Sequence, residues 1–307
     1  MKINIEKIEK FIPKDFVLAS DLAESIGVDK SFPGNRLGTK ILPRISQDQE
    51  TSGLCVAAIN RLFSSGAIAP EDGECLVVCT QNPDGHGLPH TSAIVQNKVG
   101  LSNSCACFDI SLGCSGYVYG LSVIKGFMET AGYKRGILVT ADPYSKIIDN
   151  NDKNTALLFG DASTATLMSE NGCWDIVGSQ FATDGSGAKE LCYKDRLYMN
   201  GRQVFNFAQL SIPAQVLSVC KKFKIETSEI DRFIFHQASK HMVDTLTKRL
   251  DLDPIKVPFD IQNTGNTVSS SIPIILQGVL SNKKIRNILI SGFGVGLSYA
   301  TSILKKV

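Results

Sequence analysis

Residues 108–117 read FDISLGCSGY and contain a predicted strand-to-helix turn. Its first part, residues 108–112, is an apolar run typical of a β-strand, and it stops at Gly113. From Cys114 to about Thr130 the apolar residues recur with helical spacing, so Cys114 is predicted at a strand-to-helix turn. Exposed N–H groups and the helix dipole favour a thiolate there, which is the reactive form of cysteine. The alternative is a small apolar residue that fills a tight turn.

Outward from this turn, short apolar runs alternate with longer amphipathic stretches. The pattern predicts strands at residues 76–79, 108–112, 136–140, 162–168, 231–235 and 285–291. It predicts helices at residues 52–64, 115–131, 204–223 and 236–250. Alternating strands and helices imply an α/β protein with a largely buried sheet.

The two halves of the chain have similar sequence patterns. Glycine-bearing turns followed by apolar strands occur at residues 160–167 (GDASTATL) and 292–300 (GFGVGLSYA). A chain of 307 residues is also too long for one ordinary hydrophobic core. We therefore predict two related halves, residues 1–170 with the cysteine turn and residues 171–307.

The composition is ordinary for a soluble globular protein, with 43% hydrophobic and 20% charged residues. A net charge of +2 argues against bulk binding of nucleic acid. The nine cysteines are odd in number and contain no CxxC pair, so no zinc site is predicted, and free thiols fit a reducing cytosol. The N-terminal stretch lacks the apolar core of a signal peptide, and no run approaches about 18 apolar residues. We expect a cytoplasmic protein without a membrane segment.

Three further motifs contain candidate site residues. His236 lies in FHQAS (235–239), directly after a predicted buried strand, where α/β sheets place their ligands. Asn266 lies in NTGNTVSSSIP (263–273), a polar turn that leads into an apolar helix. The glycine turn at 292–296 can direct backbone N–H groups at an oxyanion. Taken singly, each has a structural alternative: a capping or core histidine, an N-cap, and a permissive turn.

In order, the motifs GCSGY, FHQAS, NTGNTVSSSIP and GFGVGL resemble the thiolase superfamily, and most closely the β-ketoacyl-acyl-carrier-protein synthase III family. The resemblance runs from about Phe32 to the C-terminus. It includes FGDA at residues 159–162 and VQNKVG at residues 95–100. It implies a thiolase-like α/β fold, with two pseudo-repeated halves in a layered αβαβα arrangement.

The resemblance also implies a catalytic role for each motif. Cys114 is expected to attack an acyl thioester and hold the acyl group, with the backbone N–H groups of Cys114 and Val295 as oxyanion hole. His236 and Asn266 are expected to donate hydrogen bonds to a malonyl thioester, so that its decarboxylation is stabilised. The product is a β-ketoacyl thioester, formed by decarboxylative Claisen condensation without a metal or organic cofactor.

Departures from the family pattern concern the substrates. The family commonly has Trp and Arg clamping the adenine of coenzyme A, and Phe32 and Arg36 stand at that spacing here. They are the predicted CoA-binding residues, or alternatively a loop aromatic and a surface arginine. Leu88 stands where the family often has a Phe from the partner subunit, which suggests room for an acyl group longer than acetyl. We place Leu88 and Phe205 at the acyl pocket.

The carrier-protein contact is also altered. Ser239 and His241 replace the family's Asn and Arg after its His-Gln-Ala. Lys248 and Arg249, further along the predicted helix, can still attract an acidic carrier protein, or they are an ordinary solvated helix end.

The resemblance implies acyl-CoA and malonyl-acyl carrier protein as substrates and a homodimer as the assembly. Two other functions remain open. The same Cys-His-Asn site can transfer its acyl group to an oxygen or nitrogen nucleophile without decarboxylation, with His236 as base. The chain can also be a non-catalytic partner subunit, although the intact Cys114, His236 and Asn266 argue against this.

Overall fold

The structure is a computed structural model that describes residues 2–307. The strands are β1 (Asn4–Phe11), β2 (Phe16–Leu18), β3 (Ile41–Pro43), β4 (Cys75–Cys79), β5 (Ala106–Ile110), β6 (Arg135–Ala141), β7 (Ser163–Ser169), β8 (Trp174–Thr183), β9 (Leu191–Tyr193), β10 (Leu197–Met199), β11 (Arg232–Phe235), β12 (Asn287–Gly294) and β13 (Ser298–Lys306). The helices are α1 (Ala19–Ser25), α2 (Thr51–Ser64), α3 (Thr91–Val99), α4 (Gly116–Ala131), α5 (Gly201–Phe223), α6 (Lys240–Arg249) and α7 (Ser271–Leu280). Between residues 2 and 307, no helix is both long and apolar enough to cross a membrane.

Nine strands form one mixed sheet in the order β11-β12-β13-β8-β1-β7-β6-β4-β5. On one side β4 runs parallel to β6, and β6, β7 and β1 are antiparallel in turn. On the other side β11 runs parallel to β12, and β12, β13 and β8 are antiparallel in turn. The same pairing pattern therefore occurs twice, and a single β1–β8 residue pair, Ile5 with Trp174, joins the two parts.

Helices cover both faces of each part, because the strand residues are apolar on both sides. In β4, Cys75, Val77 and Cys79 belong to a central core with α4 and α7, whereas Leu76 and Val78 pack with α2 and α3. In β12, Ile288 and Ile290 join the central core, and Leu289 packs with α5 and α6. Five layers result. They are α2 with α3, the part of the sheet that contains β4, α4 with α7, the part of the sheet that contains β12, and α5 with α6. The predicted layered α/β fold is confirmed.

Two predicted boundaries near the site are wrong. The strand before Cys114 ends at Ile110 rather than at residue 112, since residues 111–115 form the turn. The helix after His236 begins at Lys240, because Ser239 is its N-cap: the Ser239 Oγ accepts a hydrogen bond from the Met242 N–H at 3.2 Å. His236 therefore lies in the connection between β11 and α6, at the carboxyl end of β11.

Candidate active site

Cys114 lies in a tight turn between β5 and α4, two residues before α4 begins. The turn is closed by a hydrogen bond from the Gly116 N–H to the Gly113 carbonyl, at 2.7 Å. A Cβ on Gly113 would lie 2.5 Å from the Gln81 Oε1 and 2.9 Å from the Val295 Cγ1. A larger residue at position 113 would therefore displace Gln81 and Val295, which favours glycine directly before the cysteine.

The glycine turn after β12 packs against the same cysteine. A Cβ on Gly292 would lie 2.6 Å from the Cys114 carbonyl oxygen, and one on Gly294 would lie 2.7 Å from the Cys114 Sγ. The backbone N–H groups of Val295 and Cys114 lie near this sulfur, and both lower the pKa of the thiol. These two amides are also the predicted oxyanion hole, because a group bonded to the sulfur lies within their reach.

Burial nevertheless has a larger effect on the pKa of Cys114 than these amides have. Desolvation, and secondly the charge of Asp142, raise the pKa of Cys114 to about 12. The side chain is only 6% exposed, so little water is available to stabilise a thiolate. Burial therefore opposes the thiolate that the helix N-terminus and the two amides favour, and Cys114 is mainly a thiol at neutral pH.

His236 is buried at the carboxyl end of β11, beside the β12 glycine turn. Its backbone N–H donates to the Ser291 carbonyl at 2.8 Å, and its ring meets Phe293 edge-on, with ring centroids 5.5 Å apart. Burial without a charged partner lowers the pKa of His236 to about 3. The imidazole is therefore neutral at physiological pH, and its Nδ1 lies 2.7 Å from the Ser271 Oγ.

Asn266 is held so that its amide nitrogen is the free end. Its Oδ1 accepts a hydrogen bond from the Val268 N–H at 2.9 Å, which fixes the orientation of the side chain. Val268 also belongs to the apolar cluster around Cys114. Asn266 is only 3% exposed, so its NH₂ group is a preorganised donor in a dry site.

The backbone of Asn266 is fixed to residues 158–160. The Asn266 N–H donates to the Leu158 carbonyl at 2.9 Å, and the Gly160 N–H donates to the Asn266 carbonyl at 3.1 Å. A Cβ on Gly160 would overlap the Thr264 carbonyl oxygen. The FGDA segment of the sequence therefore positions the asparagine loop.

Asp161 in turn anchors the FGDA segment. Its carboxylate accepts a hydrogen bond from the Ile45 N–H at 2.9 Å and others from the Ser145 N–H and hydroxyl. The neighbouring Arg44 guanidinium donates to the Phe159 carbonyl at 2.6 Å. Buried charges need such partners, and here the partners tie three chain segments to the loop that carries Asn266.

Asp142 belongs to the site although none of the sequence motifs contains it. It directly follows β6 and is fully buried, which raises its pKa to about 6. It accepts hydrogen bonds from the Gln81 N–H at 2.7 Å and the Ser269 hydroxyl at 2.5 Å. A carboxylate at the carboxyl end of a buried parallel strand is a recognisable signal. Its proximity to Cys114 is visible only in the tertiary structure.

The walls around Cys114 are apolar. The cluster that contains it also includes Tyr144, Ile148, Leu158, Phe159, Leu191, Leu197, Val268 and Leu297. From α5, Val204 and Phe207 pack against this cluster. Phe205 packs instead against the core under α5 and α6, so its predicted place at the acyl pocket receives no support from the packing.

Phe32 and Arg36 are exposed on one short helical turn, with Arg36 inside it and Phe32 directly before it. The last residue of this turn, Leu37, packs against the Cys114 cluster. Gly38 follows with φ of +85°, and a Cβ there would lie 2.6 Å from the Phe259 ring. The exposed pair is therefore joined to the Cys114 cluster through Leu37.

Residues of α5 and α6 flank the same region. Phe205 and His241 stack face to face, with ring centroids 4.9 Å apart and planes 5° from parallel. At the far end of α6, Lys248 and Arg249 are exposed, and Arg249 donates to the Gln209 Oε1 of α5 at 2.9 Å. The His241 ring is thus stacked on Phe205, while the charged groups of Lys248 and Arg249 lie at the surface.

Leu88 lies outside the Cys114 cluster within the chain. It is 88% exposed, in the turn between residues 84 and 91. A contact of Leu88 with an acyl pocket therefore requires a second copy of the chain.

Family models and relatives identify the family of the chain. Residues 108–185 match the model described as 3-oxoacyl-[acyl-carrier-protein (ACP)] synthase III, and residues 220–306 match its C-terminal counterpart. A β-ketoacyl-[acyl-carrier-protein] synthase III 1 of Bacillus cereus is 32% identical, covering 99% of each chain. A β-ketoacyl-[acyl-carrier-protein] synthase III of Lactococcus lactis is 30% identical, covering 98% of each.

Solved structures match in the same way. The crystal structure of a β-ketoacyl-[acyl carrier protein] synthase III from Thermus thermophilus superposes with a TM-score of 0.91 at 30% identity, covering 99% of both chains. A 2.1 Å crystal structure of a 3-oxoacyl-(acyl-carrier-protein) synthase III gives a TM-score of 0.93 at 29% identity, covering 99% of this chain and 100% of that one. The thiolase-like fold and the resemblance read from the motifs are confirmed. The chain belongs to the 3-oxoacyl-[acyl-carrier-protein] synthase III family.

Proposed function

We propose that this protein forms β-ketoacyl thioesters by decarboxylative Claisen condensation, in fatty-acid or related biosynthesis. The observation that carries the proposal is the division of the site into two sets of donors. Two backbone N–H groups, of Cys114 and Val295, lie near the nucleophilic sulfur. Two neutral side chains, His236 and Asn266, are each fixed at one end by Ser271 and Val268, which leaves a free end for a second carbonyl oxygen.

In the first step Cys114 accepts an acyl group from acyl-CoA. The sulfur attacks the thioester carbon and forms a tetrahedral intermediate, and the C–S bond to coenzyme A breaks when this intermediate collapses. Because the thiol is protonated at rest, its proton leaves during the attack and ends on the departing CoA thiolate. The amides of Cys114 and Val295 stabilise the oxyanion of the tetrahedral intermediate.

In the second step a malonyl thioester of acyl carrier protein loses carbon dioxide. The electron pair of the broken C–C bond forms an enolate, whose oxygen accepts hydrogen bonds from His236 and Asn266. Burial makes these bonds strong, and neither donor carries a net charge that must be desolvated. No cofactor is needed in this scheme, because the hydrogen-bond donors stabilise the charge that develops on the enolate oxygen.

In the third step the enolate carbon attacks the acyl group on Cys114. The C–C bond forms, the C–S bond to Cys114 breaks, and the released thiolate takes up one proton from solvent, which is the proton that the overall reaction consumes. The apolar cluster around Cys114 keeps water from hydrolysing the acyl-enzyme before this attack. The released product is a β-ketoacyl thioester on the carrier protein.

The proposal includes binding surfaces for both substrates. Phe32 and Arg36 bind the nucleotide end of coenzyme A by stacking and by charge, since their helical turn leads through Leu37 to the Cys114 cluster. Lys248 and Arg249 attract the acidic carrier protein, because both are exposed and charged at the C-terminal end of α6.

The proposed assembly is a cytoplasmic homodimer. β5 is a half-buried strand at the edge of the nine-stranded sheet, where its outer side can pair with a second copy. Leu88, exposed on each chain, then reaches the acyl pocket of the partner subunit, and its small size admits acyl groups longer than acetyl. The nine free cysteines fit a reducing compartment.

Two variants test the reaction. After incubation with acyl-CoA, intact-protein mass spectrometry should show one acyl adduct on the wild type and on N266A, and none on C114A. N266A should also fail to release carbon dioxide from malonyl-acyl carrier protein. An acyl adduct on C114A would contradict the role of the cysteine, and normal carbon dioxide release by N266A would contradict the role of the asparagine.

Acyl transfer to an oxygen or nitrogen nucleophile is the second candidate. It would need His236 as a base, and the low pKa of about 3 that burial gives this imidazole disfavours that role. Carbon dioxide release separates the two reactions: acyl-enzyme that is discharged by an alcohol or amine, without loss of carbon dioxide from malonyl-acyl carrier protein, supports acyl transfer.

A further inference from the structure

Ser271 makes the one side-chain hydrogen bond to the His236 ring within residues 2–307. It is the first residue of α7 and is 3% exposed, and its Oγ lies 2.7 Å from the His236 Nδ1. The same Oγ lies 3.4 Å from the backbone nitrogen of Gln237, whose N–H donates to it. The hydroxyl group therefore has two neighbours, one of which is necessarily a donor.

The protons at this hydroxyl can be counted. Gln237 N–H occupies one lone pair of the Ser271 oxygen. Ser271 has one proton of its own to donate, and in the part of the chain that the structure describes its only acceptor within reach is the Nδ1 of His236. If Nδ1 carried the ring proton, the Ser271 proton would be buried without an acceptor, which is costly.

We infer that the Ser271 hydroxyl donates to Nδ1 and so fixes His236 in the tautomer that carries its proton on Nε2, which makes Ser271 a positioning residue for the decarboxylation step. The inference rests on the proposed function only for this last role. An Nε2–H group is a donor to an enolate oxygen and cannot act as a base. Ser271 therefore selects condensation against acyl transfer to an alcohol or amine, for which Nε2 must be unprotonated.

The other surroundings of the ring do not set the tautomer. Phe293 meets the imidazole edge-on and offers no hydrogen-bonding atom. The backbone N–H of His236 is used by the Ser291 carbonyl. The tautomer of His236 is thus set by the Ser271 hydroxyl group alone, which does not itself touch the reacting atoms.

Nitrogen NMR of the full-length protein tests the tautomer directly. The chain has four histidines, so labelling the imidazole nitrogens with ¹⁵N gives few signals, and His236→Asn assigns those of His236. In the wild type we expect the coupling pattern of an Nε2-protonated ring. The pattern of an Nδ1-protonated ring would overturn the inference, whether or not the enzyme turns over.

Ser271→Ala tests the positioning role, with Ser270→Ala as matched control. Ser270 is equally buried, but its hydroxyl bonds to Thr140, at 2.8 Å from the Oγ1, and not to the histidine. In Ser271→Ala we expect the His236 Nδ1 signal to move and kcat for condensation to fall about tenfold, as for the loss of one buried hydrogen bond, with acylation of Cys114 unchanged. In Ser270→Ala the His236 signals should stay in place.

The conservative variant Ser271→Thr keeps the hydroxyl and should restore both the signal and kcat. If the His236 signals are the same in the wild type and in Ser271→Ala, Ser271 does not position the ring. A shifted signal in Ser271→Ala together with a wild type that never releases carbon dioxide would uphold the tautomer and reject the proposed reaction instead. Unfolding of Ser271→Ala would leave the decision to the wild-type and Ser271→Thr spectra.

Discussion

Gly294 lies directly against Cys114: a Cβ on the glycine would be 2.7 Å from the cysteine Sγ and 2.9 Å from its Cβ. The φ angle of Gly294 is 162°, an extended value that any residue adopts, so the requirement for glycine is one of space. The glycine turn and the nucleophile thus fit each other as one unit.

Gly294→Ala should therefore disturb the nucleophile. Overpacking of this kind costs about 1–3 kcal/mol, and the displaced sulfur loses its alignment with the two amides, so we expect acylation to slow at least about tenfold. The rate of adduct formation by mass spectrometry measures this. Gly278→Ala is the control, because a Cβ at Gly278 meets nothing within 4 Å; equal rates in both variants would contradict the prediction.

The reactivity of Cys114 should depend steeply on pH. Burial raises the pKa of the thiol to about 12, so the thiolate fraction grows about tenfold for each pH unit well below that value. The rate of iodoacetamide labelling at Cys114, followed by peptide mass spectrometry, should rise without a plateau from pH 7 to pH 9. A plateau near pH 8 would show that the thiol is far more acidic.

Asp142→Asn should make Cys114 more reactive. The carboxylate is the second cause of the raised pKa of the thiol, and its own pKa of about 6 keeps it ionised at pH 8. Removing the charge should speed labelling at pH 8 by about threefold to tenfold. At pH 5 the wild-type carboxyl group is itself mostly protonated, so the two rates should converge there.

Ser269→Ala separates this charge effect from a change of packing. It removes the hydroxyl that donates to Asp142 and leaves the charge in place. Labelling of Cys114 in this variant should not exceed the wild-type rate at pH 8. A gain as large as that of Asp142→Asn would assign the effect to loosened packing.

Asn266→Asp tests the donor at nearly constant shape. Its Oδ1 can still accept from the Val268 N–H, but an oxygen replaces the free amide nitrogen. A carboxylate repels an enolate, so carbon dioxide release from malonyl-acyl carrier protein should fall by a factor of about 100 or more, while acylation persists. Release within tenfold of wild type would show that the free end of Asn266 does not face the reacting oxygen.

Asp161→Ala should destabilise the fold. It leaves the N–H groups of Ile45 and Ser145 without their acceptor and removes the negative charge near the buried Arg44, at a cost of about 3 kcal/mol in the free energy of unfolding. Urea denaturation measures the loss. For comparison, Asp72→Ala breaks an exposed ion pair with Arg135, and it should cost less than about 1 kcal/mol.

Much of the site could be predicted from the sequence because its members sit at the ends of regular elements. Cys114 follows an apolar run and precedes a helical pattern, and both patterns are local. His236 is at the end of a predicted strand, and β11 ends within one residue of that prediction. The predicted start of the next helix at His236 is wrong, because Ser239, three residues later, is the N-cap of that helix.

The electrostatics of the site could not be predicted in this way. A helix N-terminus suggests an acidic thiol, but the folded chain buries Cys114 next to Asp142 and reverses the shift of its pKa. The residue that orients His236 lies 35 positions further along the chain. No periodicity distinguishes Ser271 from Ser269 and Ser270, although each of the three hydroxyls has a different partner.

The sequence by itself determined the alternation of strands and helices, the two glycine turns and the order of Cys114, His236 and Asn266, because these depend on local patterns and on motifs. Only the tertiary structure decided that Gly294 touches the sulfur, that Asp161 anchors the loop of Asn266, and that one buried hydroxyl orients the histidine. Such contacts join residues far apart in the chain, and burial sets the strength of each charge and hydrogen bond among them.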